Sequence, residues 1–278
     1  MPRKINDKLI DRMTGGDLSA FLQYVKDNEE QLRLEVRRAG KAFIYYNKCK
    51  ILELGLRSYH IDGKYFEDKK EPKNIKKTVL SNPAKYFSDI IPVVDNWLVK
   101  HPKREFETQQ NIARNNQRED CRYLILDMEY NFSQENILPE NRVKKAGFDL
   151  LGIERASGQI VLFEVKKGLK ALTGKSGIKD HIIDYEECLY GRNKSIFKGD
   201  LIIDVQNIIR DKTKLGLINI SEKQNMNFTD ETKFMFIFEP DKCTRREYET
   251  IFERQSRASK STKKYQTIFV SKNNYKLA

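Results

Sequence analysis

Residues 147–168 read GFDLLGIERASGQIVLFEVKKG. Two apolar runs flank Ala156-Ser157-Gly158, a tight-turn signal that pairs them as an antiparallel hairpin. In the second run, alternation places Ile160, Leu162, Glu164 and Lys166 on one face and Val161, Phe163 and Val165 on the other. Both faces are apolar up to Glu164, the pattern of a central strand buried on both sides. A carboxylate and an ammonium then point the same way from the end of that strand, where unpaired charge is costly.

In the first run Asp149 shares a face with Leu151 and Ile153. The hairpin brings it to the same end of the sheet as Glu164 and Lys166. Two adjacent carboxylates repel and raise one pKa. A divalent cation between them removes the conflict, and oxygen ligands of this hardness suit Mg²⁺ or Mn²⁺. Lys166, beside such an ion, can position a water and stabilise growing anionic charge. The plainer alternative is a salt bridge from Lys166 to Asp149 or Glu164. A lone E-x-K says little; its apolar setting and the matched Asp149 favour the metal.

Around the hairpin, "KREFETQQNIARNNQRED" from residue 103 reads as a polar-faced helix. It is followed by a strand at 121–132, the hairpin strands at 147–155 and 159–167, and a helical region. Strands at 233–240 and 265–272 close the chain. The order is α-β-β-β-α-β, an α/β (α+β) class with helices on both sides of a mixed central sheet.

Asp149, then Glu164-Val165-Lys166, within that element order resembles the PD-(D/E)xK nuclease superfamily, the restriction-endonuclease-like fold. The resemblance covers about residues 103–240 and reaches toward the C-terminus, with Phe148 where the motif's nominal proline would stand. It implies a Mg²⁺-dependent phosphodiesterase acting on DNA or, less often, RNA. Asp149 and Glu164 would ligate the metal, the Val165 carbonyl could join them, and Lys166 would orient the attacking water. Members often add an acid from the helix before the first strand. Glu105 lies on a stripe with Gln109 and Ile112 and is preferred over Glu107, with a solvated surface residue as the equal alternative.

Asp127 and Glu129 share one face of the 121–132 strand. They read first as a solvated face and otherwise as a border of the site. Beyond the E-x-K, Gly168, Gly174 and Gly177 alternate with Lys170, Lys175 and Lys179. With Lys167 they form a basic loop suited to backbone phosphates, ahead of a helix N-terminus; the Walker A spacing is absent. His181 reads as a surface or capping residue, with substrate contact the alternative. Gln206 and Arg210, one helical turn apart, are weaker candidates. From residue 241 on, ten Lys and Arg face four acids. Tyr248, Ile251 and Phe252 there read as the core face of a helix, and the surplus charge as phosphate contact.

The chain carries 52 Lys and Arg against 40 Asp and Glu, a net +12, which favours polyanions, nucleic acid before membrane. Four scattered cysteines and three histidines argue against an ordinary zinc site or a disulfide framework. No apolar run spans a bilayer and the N-terminus lacks a signal-peptide core, so a cytoplasmic protein is expected.

Residues 1–102 form an expected N-terminal α+β region for recognition or oligomerisation, and 103–278 the nuclease-like domain. Residues 17–39 read as helix, "KAFIYYNK" and "CKILELGLRSY" as strands around Asn47-Lys48, and "EDKKEPKNIKK" as an exposed loop. The proline-punctuated stretch from Asn82 to Pro102 reads as one or two short helices. The expected function is a metal-dependent nuclease, DNA favoured, with restriction or defence as an analogy and a homodimer left open. The alternative is an inactive nucleic-acid-binding or assembly protein on the same fold. A membrane-surface role has only the charge behind it.

Overall fold

The structure, a computed structural model, describes residues 1–102, 104–220, 231–241 and 244–278. It is mixed α/β, with two sheets and eight α-helices among the described residues. The chain divides into two compact units, Met1–Gln110 with Gln206–Asn219, and Asn111–Val205 with Ile220–Ala278.

The first unit opens with α1 (Asp7–Thr14) and α2 (Ser19–Asp27). The sheet follows as β1 (Leu32–Val36), β2 (Ala42–Tyr46), β3 (Cys49–Leu54) and β4 (Tyr59–His60), antiparallel in that order. The helix expected over 17–39 thus ends at Asp27, and 32–36 is a strand. Leu32 and Val36 stand four apart, a spacing that fits both the helical and the strand period; Leu34, apolar and buried between the charged Arg33 and Glu35, decides for the strand. Between β2 and β3, Asn47 and Lys48 both adopt positive φ, +46° and +57°, the geometry of a two-residue hairpin turn.

Next come α3 (Ile75–Ser81) and α4 (Pro83–Lys100). Here one 18-residue helix replaces the expected short pieces and runs through Pro92. Pro92 is exposed, while Tyr86, Phe87, Ile90 and Val94 bury one continuous face. Burial of those four side chains, about 1.5–3 kcal/mol each for the apolar ones, outweighs a proline cost of about 3 kcal/mol.

Buried charge ties distant segments of this unit. Glu35 is fully buried and pairs with Arg33 and with Lys212 Nζ at 2.6 Å. Burial pushes its carboxyl up, but Arg33, Lys212 and Arg37 outweigh that and hold it at about 2. The Ile5 N–H donates to the buried Asp211 carboxylate at 2.7 Å.

Helix α5 (Arg104–Asn115) leads into the second unit. Its sheet is β5 (Tyr123–Asn131), β6 (Gly147–Glu154), β7 (Ile160–Lys167), β8 (Lys233–Glu239) and β9 (Gln266–Phe269), side by side in that order. β5, β6 and β7 are antiparallel neighbours, whereas β8 and β9 run parallel to β7. The remaining helices are α6 (Ile178–Tyr190), α7 (Lys194–Lys214) and α8 (Arg245–Ala258). β7 is buried from Ile160 to Lys166, as a central strand should be.

The solvated face expected for β5 is not found at Asp127, which is fully buried; Glu129 is half-buried. Strand β5 is buried along nearly its whole length, and a register irregularity between Ile125 and Asp127 interrupts the alternation. In α8, Tyr248 is fully buried, and Phe252 packs on Phe236 and Phe238 at 5.4 and 5.8 Å. Cys49, Cys121 and Cys188 are buried free thiols; Cys243 lies outside the described residues. Burial pushes the Cys188 thiol up to about 12, leaving it inert at neutral pH. Among the described residues no helix is long and apolar enough to cross a membrane.

Candidate active site at the open end of the hairpin

The β6–β7 ladder runs from Ile153 opposite Ile160 to Leu150 opposite Phe163 and stops there. One more rung would set Asp149 opposite Glu164. Instead, the Asp149 side chain accepts the Val165 N–H through Oδ2 at 2.9 Å. A side-chain oxygen has taken the place of the next ladder carbonyl, so the strands part at this point. N–H and C=O of one strand residue point to the same side, so the Val165 carbonyl faces the same opening.

Glu164 and Lys166, two residues apart on β7, are both buried, and Lys166 Nζ donates to Glu164 Oε1 at 2.7 Å. Lys166 also donates to the Ser176 carbonyl at 3.0 Å. His181 Nε2 stands 2.9 Å from Glu164 Oε1. Burial alone would push the Glu164 carboxyl up, but the Lys166 ammonium and the His181 hydrogen bond outweigh it and hold the group at about 2. Glu164 is therefore anionic at neutral pH although almost completely enclosed.

The loop after β7 follows from its glycines. Gly168 has φ +78°, which turns the chain off the strand into a 3-10 turn at Leu169–Leu172. A Cβ on Gly177 would stand 2.8 Å from the Leu172 carbonyl and the Thr173 backbone, so only glycine closes the loop before α6. Ser176, at φ +70°, is held by its neighbours: its N–H donates to Asp180 at 3.2 Å, and its hydroxyl meets Lys145.

Helix α6 lies on the sheet in a register that fixes what meets Glu164. Tyr185 stacks on Phe234 at 4.7 Å and donates its hydroxyl to the Thr232 carbonyl at 2.7 Å. Phe234 pairs with Leu162, and Phe236 with Glu164. Four helical residues rise about 6 Å, close to the roughly 6.6 Å of two strand residues. Going back from Tyr185 to His181 therefore moves from the Leu162 rung to the Glu164 rung. Ser176, before the helix, arrives at Lys166.

The structure thus joins Glu164 and Lys166 directly and places Asp149 on Val165, next to both. His181, read from the sequence as a surface or capping residue, is instead buried against Glu164. The readable signal was its place on the stripe Ile178, His181, Ile182, Tyr185 and Leu189, all buried. Lys170, Lys175 and Lys179 are exposed on the loop and the first turn of α6, whereas Lys167 is half-buried and tied to Glu239 at 3.0 Å. Glu105 is half-buried, in line with buried Gln109 and Ile112, and Glu107 is exposed. Glu105 belongs to the first unit, and Asp149, Glu164 and Lys166 to the second. Gln206 is exposed, and Arg210 pairs with Asp211 at 2.6 Å.

Among the described residues, no group of three or more His, Cys, Asp or Glu side chains is arranged to hold a metal ion. The site offers two carboxylates and a backbone carbonyl, an all-oxygen set of the kind hard divalent ions take. The Lys166 and His181 contacts on Glu164 both fall on Oε1. Comparison of the chain with protein-family models, with curated proteins and with solved structures finds no match.

Proposed function

We propose that the second unit is a Mg²⁺- or Mn²⁺-dependent nuclease of the PD-(D/E)xK type that hydrolyses phosphodiester bonds in nucleic acid, DNA before RNA. The observation that carries this reading is the Asp149 hydrogen bond to the Val165 N–H, one residue from each member of the buried Glu164–Lys166 pair, where the β6–β7 ladder ends. The sheet supports it: three antiparallel strands continued by parallel ones accord with a restriction-endonuclease-like core. A restriction or defence role and a homodimer are extensions by analogy.

Asp149, Glu164 through Oε2 and the Val165 carbonyl are the groups that would hold the ion. When bound, it would lower the pKa of a water and offset charge on the scissile phosphate. Lys166, fixed on Glu164 and Ser176, presents an ammonium to the attacking water and to the charge that develops on phosphate. Glu164, ionised well below neutral pH, needs no deprotonation on loading. Lys170, Lys175 and Lys179 supply backbone contacts without sequence reading.

One observation favours a second reading, a nucleic-acid-binding protein without catalysis. Lys166 binds Glu164 and the Ser176 carbonyl, and His181 meets the same Glu164 oxygen, contacts that a structural ion pair would also make. The two readings separate by incubating the chain with plasmid, single-stranded DNA and RNA in Mg²⁺, with and without chelator, beside Lys166→Ala. The nuclease reading expects cleavage that chelator and Lys166→Ala each abolish. Binding without cleavage of any of these by the unaltered chain supports the second.

A further inference from the structure

We infer that His181 is a positioning residue of this site, holding the Glu164 carboxylate by one oxygen so that the other is left for the metal. The inference rests on the nuclease reading and deepens it. Position 181 lies on the buried stripe of α6, between Ile178 and Tyr185, where apolar residues predominate. Instead the chain buries an imidazole there, 7% exposed. Its Nδ1 is enclosed and has no hydrogen-bond partner, which carries a desolvation cost.

What the ring gains is the contact with Glu164. A carboxylate oxygen 2.9 Å from Nε2 requires the proton on that nitrogen. The same nitrogen lies 3.2 Å from Lys166 Nζ, so with its proton committed to Glu164 it cannot also accept from the lysine. Charge balance does not call for the histidine, because Lys166 already pairs with Glu164. What the imidazole adds is direction. It approaches Oε1 from α6 while Lys166 approaches the same oxygen from β7, and the two fix the carboxylate plane. Tyr185, locked to Thr232 and Phe234, sets the helix that carries the ring. This is the role a hydrogen-bonding partner plays behind a metal ligand.

The test compares His181→Phe, His181→Leu and His181→Gln with the unaltered full-length chain. Melting temperature reports folding. Mn²⁺ affinity is read from the electron paramagnetic resonance signal of free Mn²⁺ during titration, and plasmid cleavage is followed in parallel. The expected result is that the Phe and Leu variants fold and melt only a few degrees below the parent. Their Mn²⁺ affinity should fall about 10–100-fold, and the Gln variant, which keeps a donor, should recover part of it. A folded Phe or Leu variant that binds Mn²⁺ and cleaves like the parent overturns the inference and leaves the nuclease reading intact. If neither apolar variant folds, His181 is structural and the inference is overturned. A parent chain that neither binds Mn²⁺ nor cleaves overturns the nuclease reading, and this inference with it.

Discussion

Asp149 Oδ2 accepts the Val165 N–H at 2.9 Å, in the place where a regular hairpin would offer a backbone carbonyl. This hydrogen bond ends the ladder and opens the strands at the candidate site. Under the proposed function Asp149 has two separable duties, a neutral one as acceptor and a charged one toward a cation.

Asp149→Asn keeps an acceptor oxygen and removes the charge. Its unfolding free energy should stay within about 1 kcal/mol of the parent, with cleavage abolished. Asp149→Ala leaves the Val165 N–H without its partner and should cost about 1–3 kcal/mol as well. Urea denaturation of both variants measures the difference. Equal destabilisation by the two would contradict the division of duties.

Glu164 and Lys166 invite a double-mutant cycle. Lys166→Met alone strands a buried carboxylate and should destabilise the chain by about 3–5 kcal/mol. Adding Glu164→Gln removes that charge, so the double variant should regain most of the stability while remaining inactive. Simple additivity in denaturation midpoints would show that the pair is not coupled as its 2.7 Å separation implies.

Acid should unfold the chain in a defined window. Glu164 and Glu35 both titrate at about 2 in the folded chain, below an ordinary value near 4.5. Their contribution is therefore complete above about 4.5 and disappears as pH falls toward about 2, on the order of 3 kcal/mol for each group. With respect to these groups, urea midpoints should be level between about pH 5 and 7 and fall steeply below about pH 4.5. Glu35→Gln should make that fall shallower.

Much of this arrangement is legible in the chain itself. The hairpin and its buried second strand follow from alternation about Ala156-Ser157-Gly158, and the turn at Asn47-Lys48 from the two apolar runs on either side of it. Local pattern fails where one spacing serves two periods, as at Leu32 and Val36. It fails again where burial overrides a breaker, as at Pro92. The meeting of His181 with Glu164 is not written locally at all. It depends on Tyr185 docking on Phe234, which sets the helix register across the sheet. The Glu35–Lys212 pair, 177 residues apart in sequence, is likewise invisible to any window.

The exposed lysines should act through phosphates alone. Replacing Lys170, Lys175 and Lys179 together by Gln should weaken binding of unrelated DNA sequences to a similar degree. The slope of log affinity against log salt should drop by roughly 0.9 for each duplex phosphate that is no longer neutralised. Fluorescence anisotropy in Ca²⁺ or chelator reads this without cleavage. An unchanged slope would remove the loop from the binding surface.

The most direct measurement is a crystal structure of the chain soaked in Mn²⁺, with the ion located by its anomalous signal. One ion is expected, bonded to oxygens of both Asp149 and Glu164 at about 2.0–2.6 Å, the range for hard divalent ions on oxygen. Mn²⁺ bound elsewhere, or the two carboxylates turned to opposite faces of the sheet with no ion between them, would contradict it.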